Sequence, residues 1–200
     1  SPVIRTIDDP FSTEGGLAIL KGNLALEGAI VKQSAVPPNM MTFEGQAIIF
    51  DDEESAIEGL LDGRVQDGQM VVIRYEGPKG GPGMRQLQFF MNILCGMDRQ
   101  TKIGLVTDGR FSGTNWGLAI GHVCPEAIDG GPIALLQNGD RISVNIPNRR
   151  LDVLLTEQEL NERSANWRSP KPKAKAGLLG LYAATTSSAT INGATIFPSD

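Results

Sequence analysis

Short apolar runs recur along the chain, each of strand length and each bounded by polar residues or by turns rich in glycine and proline. They are Leu17–Leu20, Ala29–Gln33, Gln46–Phe50, Met70–Tyr75, Ile103–Thr107, Pro132–Leu136, Arg141–Ile146 and Leu151–Leu155. Most are enriched in Val and Ile, which suit a pleated, half-buried surface. Arg141-Ile142-Ser143-Val144-Asn145-Ile146 alternates polar and apolar with period two, the pattern of a strand with one buried face. Asn138-Gly139-Asp140 lies between two such runs and predicts a hairpin turn.

Helical patterns are fewer. Asp52–Leu61 opens on acidic residues and spaces Ala56, Ile57, Leu60 and Leu61 along one face, with Gly63 placed to end it. Met84–Leu94 aligns Leu87, Phe90, Met91 and Leu94. Thr156-Glu157-Gln158-Glu159 is a capping box, opening a helix to about Trp167. Residues 168–176 hold two prolines and four basic residues and read as a linker; 177–189 form a last helix packed back through Leu178, Leu181 and Tyr182. The divisions that follow are a lead-in at 1–16, a β-rich domain at 17–167, the basic linker at 168–176 and a C-terminal helix and tail at 177–200. Regular β-α alternation is absent, so the pattern predicts an α+β, β-rich fold with a barrel-like mixed sheet rather than a doubly wound one.

Composition narrows the function. The 200 residues carry 18 Lys and Arg against 23 Asp and Glu, a net charge of −5, which argues against a nucleic-acid partner. No apolar run is long enough for a membrane span, and the first residues lack a signal-peptide layout. Two cysteines, Cys95 and Cys124, and one histidine, His122, cannot close a four-ligand zinc site. Neither cysteine belongs to a CxxC pair, and structural burial in a reducing compartment is the simpler reading of both. Chemistry must then come from oxygen ligands, from backbone exposed by glycine, or from outside the chain.

Two turns are candidates. Arg74-Tyr75-Glu76-Gly77-Pro78-Lys79-Gly80-Gly81-Pro82-Gly83-Met84 leaves a strand and enters a helix, so its amides can cradle an anion. It lacks the ending of a P-loop. Glu76 stands where a carboxylate reaches a hard cation or a substrate proton, and an elaborate turn with a solvated Glu76 is the plain alternative. Thr107-Asp108-Gly109-Arg110-Phe111-Ser112-Gly113-Thr114 also follows a strand and presents Ser112 on a tight turn, without being a Gly-x-Ser-x-Gly elbow. The alternative for Ser112 is a helix cap. No spacing rule ties His122 to Ser112 in a triad, and Asp51-Asp52-Glu53-Glu54 reads as a solvated helix start.

These stretches, taken in order with Gly15-Gly16-Leu17-Ala18-Ile19-Leu20-Lys21-Gly22-Asn23, Gly121-His122-Val123-Cys124-Pro125-Glu126-Ala127, Gly130-Gly131-Pro132-Ile133-Ala134-Leu135 and Ile146-Pro147-Asn148-Arg149, resemble the C-terminal domain of the dihydroxy-acid, 6-phosphogluconate and sugar-acid dehydratase family across about 3–194. The Lys79–Met84 stretch is most similar to the branched-chain amino-acid biosynthetic subtype. The resemblance implies a swivelling β/β/α domain, and dehydration of 2,3-dihydroxy acids to 2-keto acids with Mg2+ and an iron–sulfur cluster. It implies that Glu76 binds Mg2+ and that Ser112, as an alkoxide, takes the C2 proton. Gly113 and Thr114 would hold the substrate carboxylate, and Met84 would line the pocket near the cluster. No iron–sulfur ligand is expected in this chain. The cluster cysteines and most metal ligands would belong to an N-terminal domain of a longer, cytoplasmic, dimeric protein. The chain alone would then be colourless, iron-free and inactive. Two positions depart from the family pattern: Cys124, where Ser is usual, and Trp116, which puts substrate identity in doubt. A sugar-acid dehydratase, or a non-catalytic binding or assembly module with this fold, is the alternative. The mechanism further requires the turns at 76 and 112 to open on a common cleft.

Overall fold

The computed structural model describes residues 3–190. Its frame is one eight-stranded mixed sheet: β1 (Ala18–Leu20), β2 (Gly28–Val31), β3 (Thr42–Phe50), β4 (Gln69–Ile73), β5 (Gly104–Thr107), β6 (Ala119–Cys124), β7 (Arg141–Asn145) and β8 (Arg150–Val153). The spatial order is β1-β2-β6-β5-β4-β3-β7-β8. The central four, β3 to β6, run parallel, and antiparallel pairs flank them on both sides. The edges then meet. Lys21 N–H donates to Arg149 O at 2.9 Å and Leu151 N–H to Lys21 O at 3.1 Å, which closes β1 against β8. Gly22 is required at this seam, because a Cβ there would lie 2.0 Å from Leu151 O. Asn23 extends the seam by pairing its side chain with both backbone groups of Val153. Closure removes the exposed strand edges that invite aggregation.

Alternation sorts the strand residues into two cores. Leu20, Ala29, Val31, Ala47, Met70, Val72, Val106, Ile120, Ile142, Val144, Leu151 and Val153 fill the barrel. Phe50, Val71, Ile73, Leu105 and Ala119 point outward, against α1 (Glu53–Leu61) and α2 (Gln88–Gly96), through Ala56, Leu60, Phe90, Met91 and Leu94. β4 and β5, in the middle of the parallel set, are therefore buried on both faces and read as near-continuous apolar runs, while β7, with one buried face, shows clean alternation. Burying each such side chain contributes roughly 1.5–3 kcal/mol.

The β-rich, barrel-like expectation holds, and so do α1, Gly63 in the left-handed conformation just past it, and the Thr156–Glu159 capping box opening α3 (Glu157–Asn166). Several details differ. The chain does contain two β-α-β units, β3-α1-β4 and β4-α2-β5. Pro132–Leu135 is a 3-10 turn, not a strand, because Pro132 at its first position presets the turn. Residues 137–140 therefore form no hairpin; Gly139 N–H and Asp140 O bond Ala47 of β3 instead. The helix expected from Met84 starts at Gln88, since 84–87 are spent in a rib bonded to Arg110. The last helix, α4 (Gly177–Thr185), is shorter than expected and buries neither Leu178 nor Leu181, which are 68% and 49% exposed. Leu179 instead abuts Gly83. The tail beyond 190 lies outside the described residues.

Candidate active site

Four parallel strands end at the same edge, and each is followed within three residues by a carboxylate: Asp51 and Asp52 after β3, Glu76 after β4, Asp108 after β5 and Glu126 after β6. The C-terminal edge of parallel strands is where ligands bind in α/β sheets. Three of these groups serve the backbone. Asp52 caps α1 by accepting from Ser55 N–H. Asp108, fully buried, accepts from Tyr75 N–H at 3.1 Å, Glu76 N–H at 3.0 Å and Ala127 N–H at 2.9 Å. Burial pushes its carboxyl up, while those three amides pull it down. Glu126 accepts from Gly80 N–H at 2.9 Å and Lys79 N–H at 3.2 Å. Burial pushes its carboxyl up to about 7, and repulsion from Asp108 adds to this. Sequence reasoning passed over Asp108 and Glu126; their signal is position, one or two residues beyond an apolar strand.

Glu76 differs. The residue is 3% exposed, yet its carboxylate accepts from no backbone amide among the described residues. Its partners are cations: Lys173 Nζ at 3.0 Å, reaching across from the basic linker, and Arg85 Nη2 at 3.4 Å. Glu76 lines an open cleft of about 790 Å³ with Asp52, Glu54, Gly81, Arg85 and Lys173. Gly81 must lack a side chain, since a Cβ would meet Glu76 Cα at 2.8 Å and its Oε2 at 3.0 Å.

A buried, cleft-facing carboxylate satisfied only by cations fits a hard divalent ion as one oxygen ligand. No group of three or more His, Cys, Asp or Glu converges on a metal position among the described residues, so further ligands for such an ion would come from elsewhere. The thiols do not fit an iron–sulfur cluster. Cys124 is buried at the end of β6 with its thiol pushed up to about 11 by burial, and half-buried Cys95 on α2, raised by the same cause, lies 3.5 Å from Trp116 O.

Ser112 lines a different cavity, of about 130 Å³, with Leu17, Ile30, Lys32, Phe111, Gly113 and His122. Its Oγ lies 2.9 Å from Thr114 Oγ1 and accepts from Thr114 N–H at 3.3 Å. Lys32 Nζ donates to Gly113 O. The expectation of one common cleft is thus corrected, and topology gives the reason. β5 and β6 are adjacent and parallel, so the connection between them must travel back along the barrel, and it carries Ser112 down the outer wall. The two cavities remain neighbours. Gly109 packs on Glu76, a Cβ there lying 3.0 Å from Glu76 Cβ, and the three residues from Gly109 to Ser112 span at most about 11 Å. The rib 84–88 stands between them: Met84 O accepts from Arg110 Nε, Arg110 O from Leu87 N–H, and Thr114 Oγ1 from Gln88 Nε2. Trp116 is 55% exposed, and its neighbour Asn115 rather than Trp116 lines the Ser112 cavity.

No helix among the described residues is long and apolar enough to cross a membrane. Dihydroxy-acid dehydratases resemble the chain over most of its length. That of Caldanaerobacter subterraneus subsp. tengcongensis is 53% identical over 180 residues, 90% of this chain and 32% of that protein. The Aquifex aeolicus protein is 52% identical over 188 residues, 94% of the chain and 34% of that protein. The Geobacter sulfurreducens protein is 54% identical over 187 residues, with the same coverage. The chain therefore spans about a third of the length of the curated relatives it matches. A family profile described as "Dihydroxy-acid/6-phosphogluconate dehydratase C-terminal" matches residues 2–194, a range that includes the closed barrel and both cavities, and the chain belongs to that family.

Proposed function

We propose that this chain is the C-terminal part of a hydro-lyase that dehydrates 2,3-dihydroxy acids to 2-keto acids, with Ser112 taking the C2 proton and Glu76 supplying one ligand to Mg2+. The observation that carries the reading is Glu76: a buried carboxylate at a parallel-strand end, open to a cleft and balanced among the described residues only by the cations Arg85 and Lys173. Membership of the dehydratase family supports the substrate class.

Glu76 would hold a divalent cation as one oxygen ligand, and such an ion would supply positive charge that stabilises the anion formed as the C2 proton leaves. The rest falls to the chain's own residues. A serine hydroxyl is too weak an acid to act as a base unless its anion is stabilised. Thr114 offers a hydroxyl and an amide to Ser112 Oγ, and Lys32 adds an ammonium on the same wall. The alkoxide takes the proton from C2 and becomes a hydroxyl, the C3 hydroxyl departs as water with the proton that serine gave up on forming the alkoxide, and the enol tautomerises to the keto acid. Gly113 and Thr114 hold the substrate carboxylate, and the substrate spans the two neighbouring cavities past the rib at Met84, which become one cleft only when the rest of the longer protein roofs them. The iron–sulfur cluster and the remaining Mg2+ ligands come from the upstream region of a longer, cytoplasmic, dimeric protein, so this chain alone turns over no substrate.

The test uses that longer protein, prepared anaerobically, with a panel of 2,3-dihydroxy and polyhydroxy acids. Dihydroxy acids should be consumed. Ser112→Ala should abolish turnover with thermal unfolding unchanged, and Glu76→Gln should weaken the response to Mg2+. Full activity in either variant overturns the role given to that residue, and preference for polyhydroxy acids selects the sugar-acid alternative.

A further inference from the structure

β6 departs from regular pairing where it passes Ser112. Against β2, the paired positions step from Gly28 to Ile30 on one strand and from Cys124 to Gly121 on the other, two residues against three. The extra residue is a bulge. Its effect on side chains is visible in the core: Ile120 and Val123 both enter the barrel, although strict alternation sends residues three apart to opposite faces. Between them His122 has φ +54°, the left-handed region that a residue with a Cβ enters at a cost of roughly 1 kcal/mol or more.

The bulge re-aims His122. By alternation from Ile120, its ring would point into the apolar barrel. It lines the Ser112 cavity instead, on the outer wall. Phe111, stacked over Gly121, holds the Ser112 bend against this part of β6, and His122 N–H donates to Gly109 O at 2.9 Å. The imidazole is half-buried and makes no hydrogen bond to any described residue. The charged groups facing it are Arg110 from the bend and Lys32 from the end of β2, both cations. Burial first, and then Arg110, hold the imidazole below its ordinary value, so it is neutral at neutral pH. Bulges commonly redirect a side chain beside an active site.

We propose that His122 is the proton acceptor that generates the Ser112 alkoxide. The inference rests on the reading of Ser112 given above. No direct hydrogen bond joins the two side chains, so Ser112 Oγ–H passes its proton to the neutral imidazole through water in the cavity they share. The alkoxide takes the C2 proton and is a hydroxyl again. The imidazolium gives up its proton to the departing C3 hydroxyl, directly or through water in the open cavity, and that group leaves as water. Both side chains end as they began, and the net change is loss of one water from the substrate. His122 acts through Ser112 and need not touch the substrate carbon.

The variant that separates chemistry from folding is His122→Gly. Glycine occupies φ +54° without strain, so the variant should unfold at or above the wild-type temperature while kcat in the longer protein falls about 10²–10⁴-fold. Added imidazole should restore part of kcat, and neither effect follows from a purely structural role. His122→Asn, which also tolerates the left-handed backbone, should lose the acid limb of the kcat–pH profile. His122→Gly within threefold of wild-type kcat overturns the inference, as does a loss that imidazole does not rescue. Ser112→Ala is run beside it. An active Ser112→Ala overturns the reading of Ser112 itself, whereas an inactive Ser112→Ala with an active His122→Gly removes only the role of the histidine.

Discussion

The two candidate loops leave neighbouring strands and are built in opposite ways. Residues 74–84 stay at the strand ends, where the ends of β5 and β6 crowd them. Five hydrogen bonds from backbone amides to two buried carboxylates pin the segment and its surroundings: Tyr75, Glu76 and Ala127 to Asp108, and Lys79 and Gly80 to Glu126. Side chains are excluded from Gly77 and Gly81, where a Cβ would fall 2.5 Å and 2.8 Å from its nearest neighbours. Residues 108–118 run down the outer wall and are held around Ser112 by local bonds, by Lys32 and by Gln88, which donates to Thr114 Oγ1 at 2.8 Å. A Cβ on Gly113 meets nothing within 4 Å. The rigid loop carries the carboxylate that must hold its place against charged neighbours. The other carries the hydroxyl, on a bend whose Gly113 faces open space.

Removing the pins is the harshest way to erase this difference. Asp108→Ala strands three buried amides at once. Each orphaned donor costs about 1–3 kcal/mol, and partial relaxation brings the expected loss to roughly 3–5 kcal/mol. Urea unfolding measures it directly. A loss under about 1 kcal/mol would mean that the glycine loop is not held from below.

Glu126 gives a pH handle on the same loop. Its folded-state value of about 7 lies above the ordinary 4.5, so the folded protein binds this proton more tightly than the unfolded chain does. The stabilisation is complete below pH 4.5 and is lost as pH rises through 7, by up to about 3 kcal/mol. Glu126→Gln cannot titrate. Relative to wild type it should gain stability steadily from pH 5 to pH 7.5, and parallel stability–pH curves for the two proteins would refute the assignment.

What could be read from the sequence follows the range of the interactions. Strands with one or two buried faces, the α1 boundaries and the Thr156 capping box depend on residues close in the chain, and all were legible. β6 was not, because the bulge at Gly121 and His122 breaks its alternation. Pro132–Leu135 looks like a strand by composition, but Pro132 imposes a turn. Glu76 and Ser112 stood out because glycines surround them. Asp108 and Glu126 did not, since their partners are amides of loops 19 to 47 residues away. The common cleft failed for a topological reason: nothing local in Thr107–Gly113 reveals that the next strand runs parallel and draws the bend off the edge.

The mildest test compares one methyl group in each loop. In Gly81→Ala the new Cβ meets backbone atoms of Glu76, which cannot rotate aside as a side-chain tip would, so the loop itself must shift. Such overpacking costs about 1–3 kcal/mol, and the shift should also be visible as altered amide resonances at Glu76 and at Asp108 beneath it. In Gly113→Ala the methyl enters open space, and the position lies outside the left-handed region. The unfolded chain loses freedom while the folded one loses nothing, so stability should be unchanged or rise by up to about 1 kcal/mol. Paired thermal unfolding of the two variants decides the matter. Equal losses would show that the bend is packed as tightly as the glycine loop, and the contrast between a crowded carboxylate loop and an open hydroxyl bend would have to be abandoned.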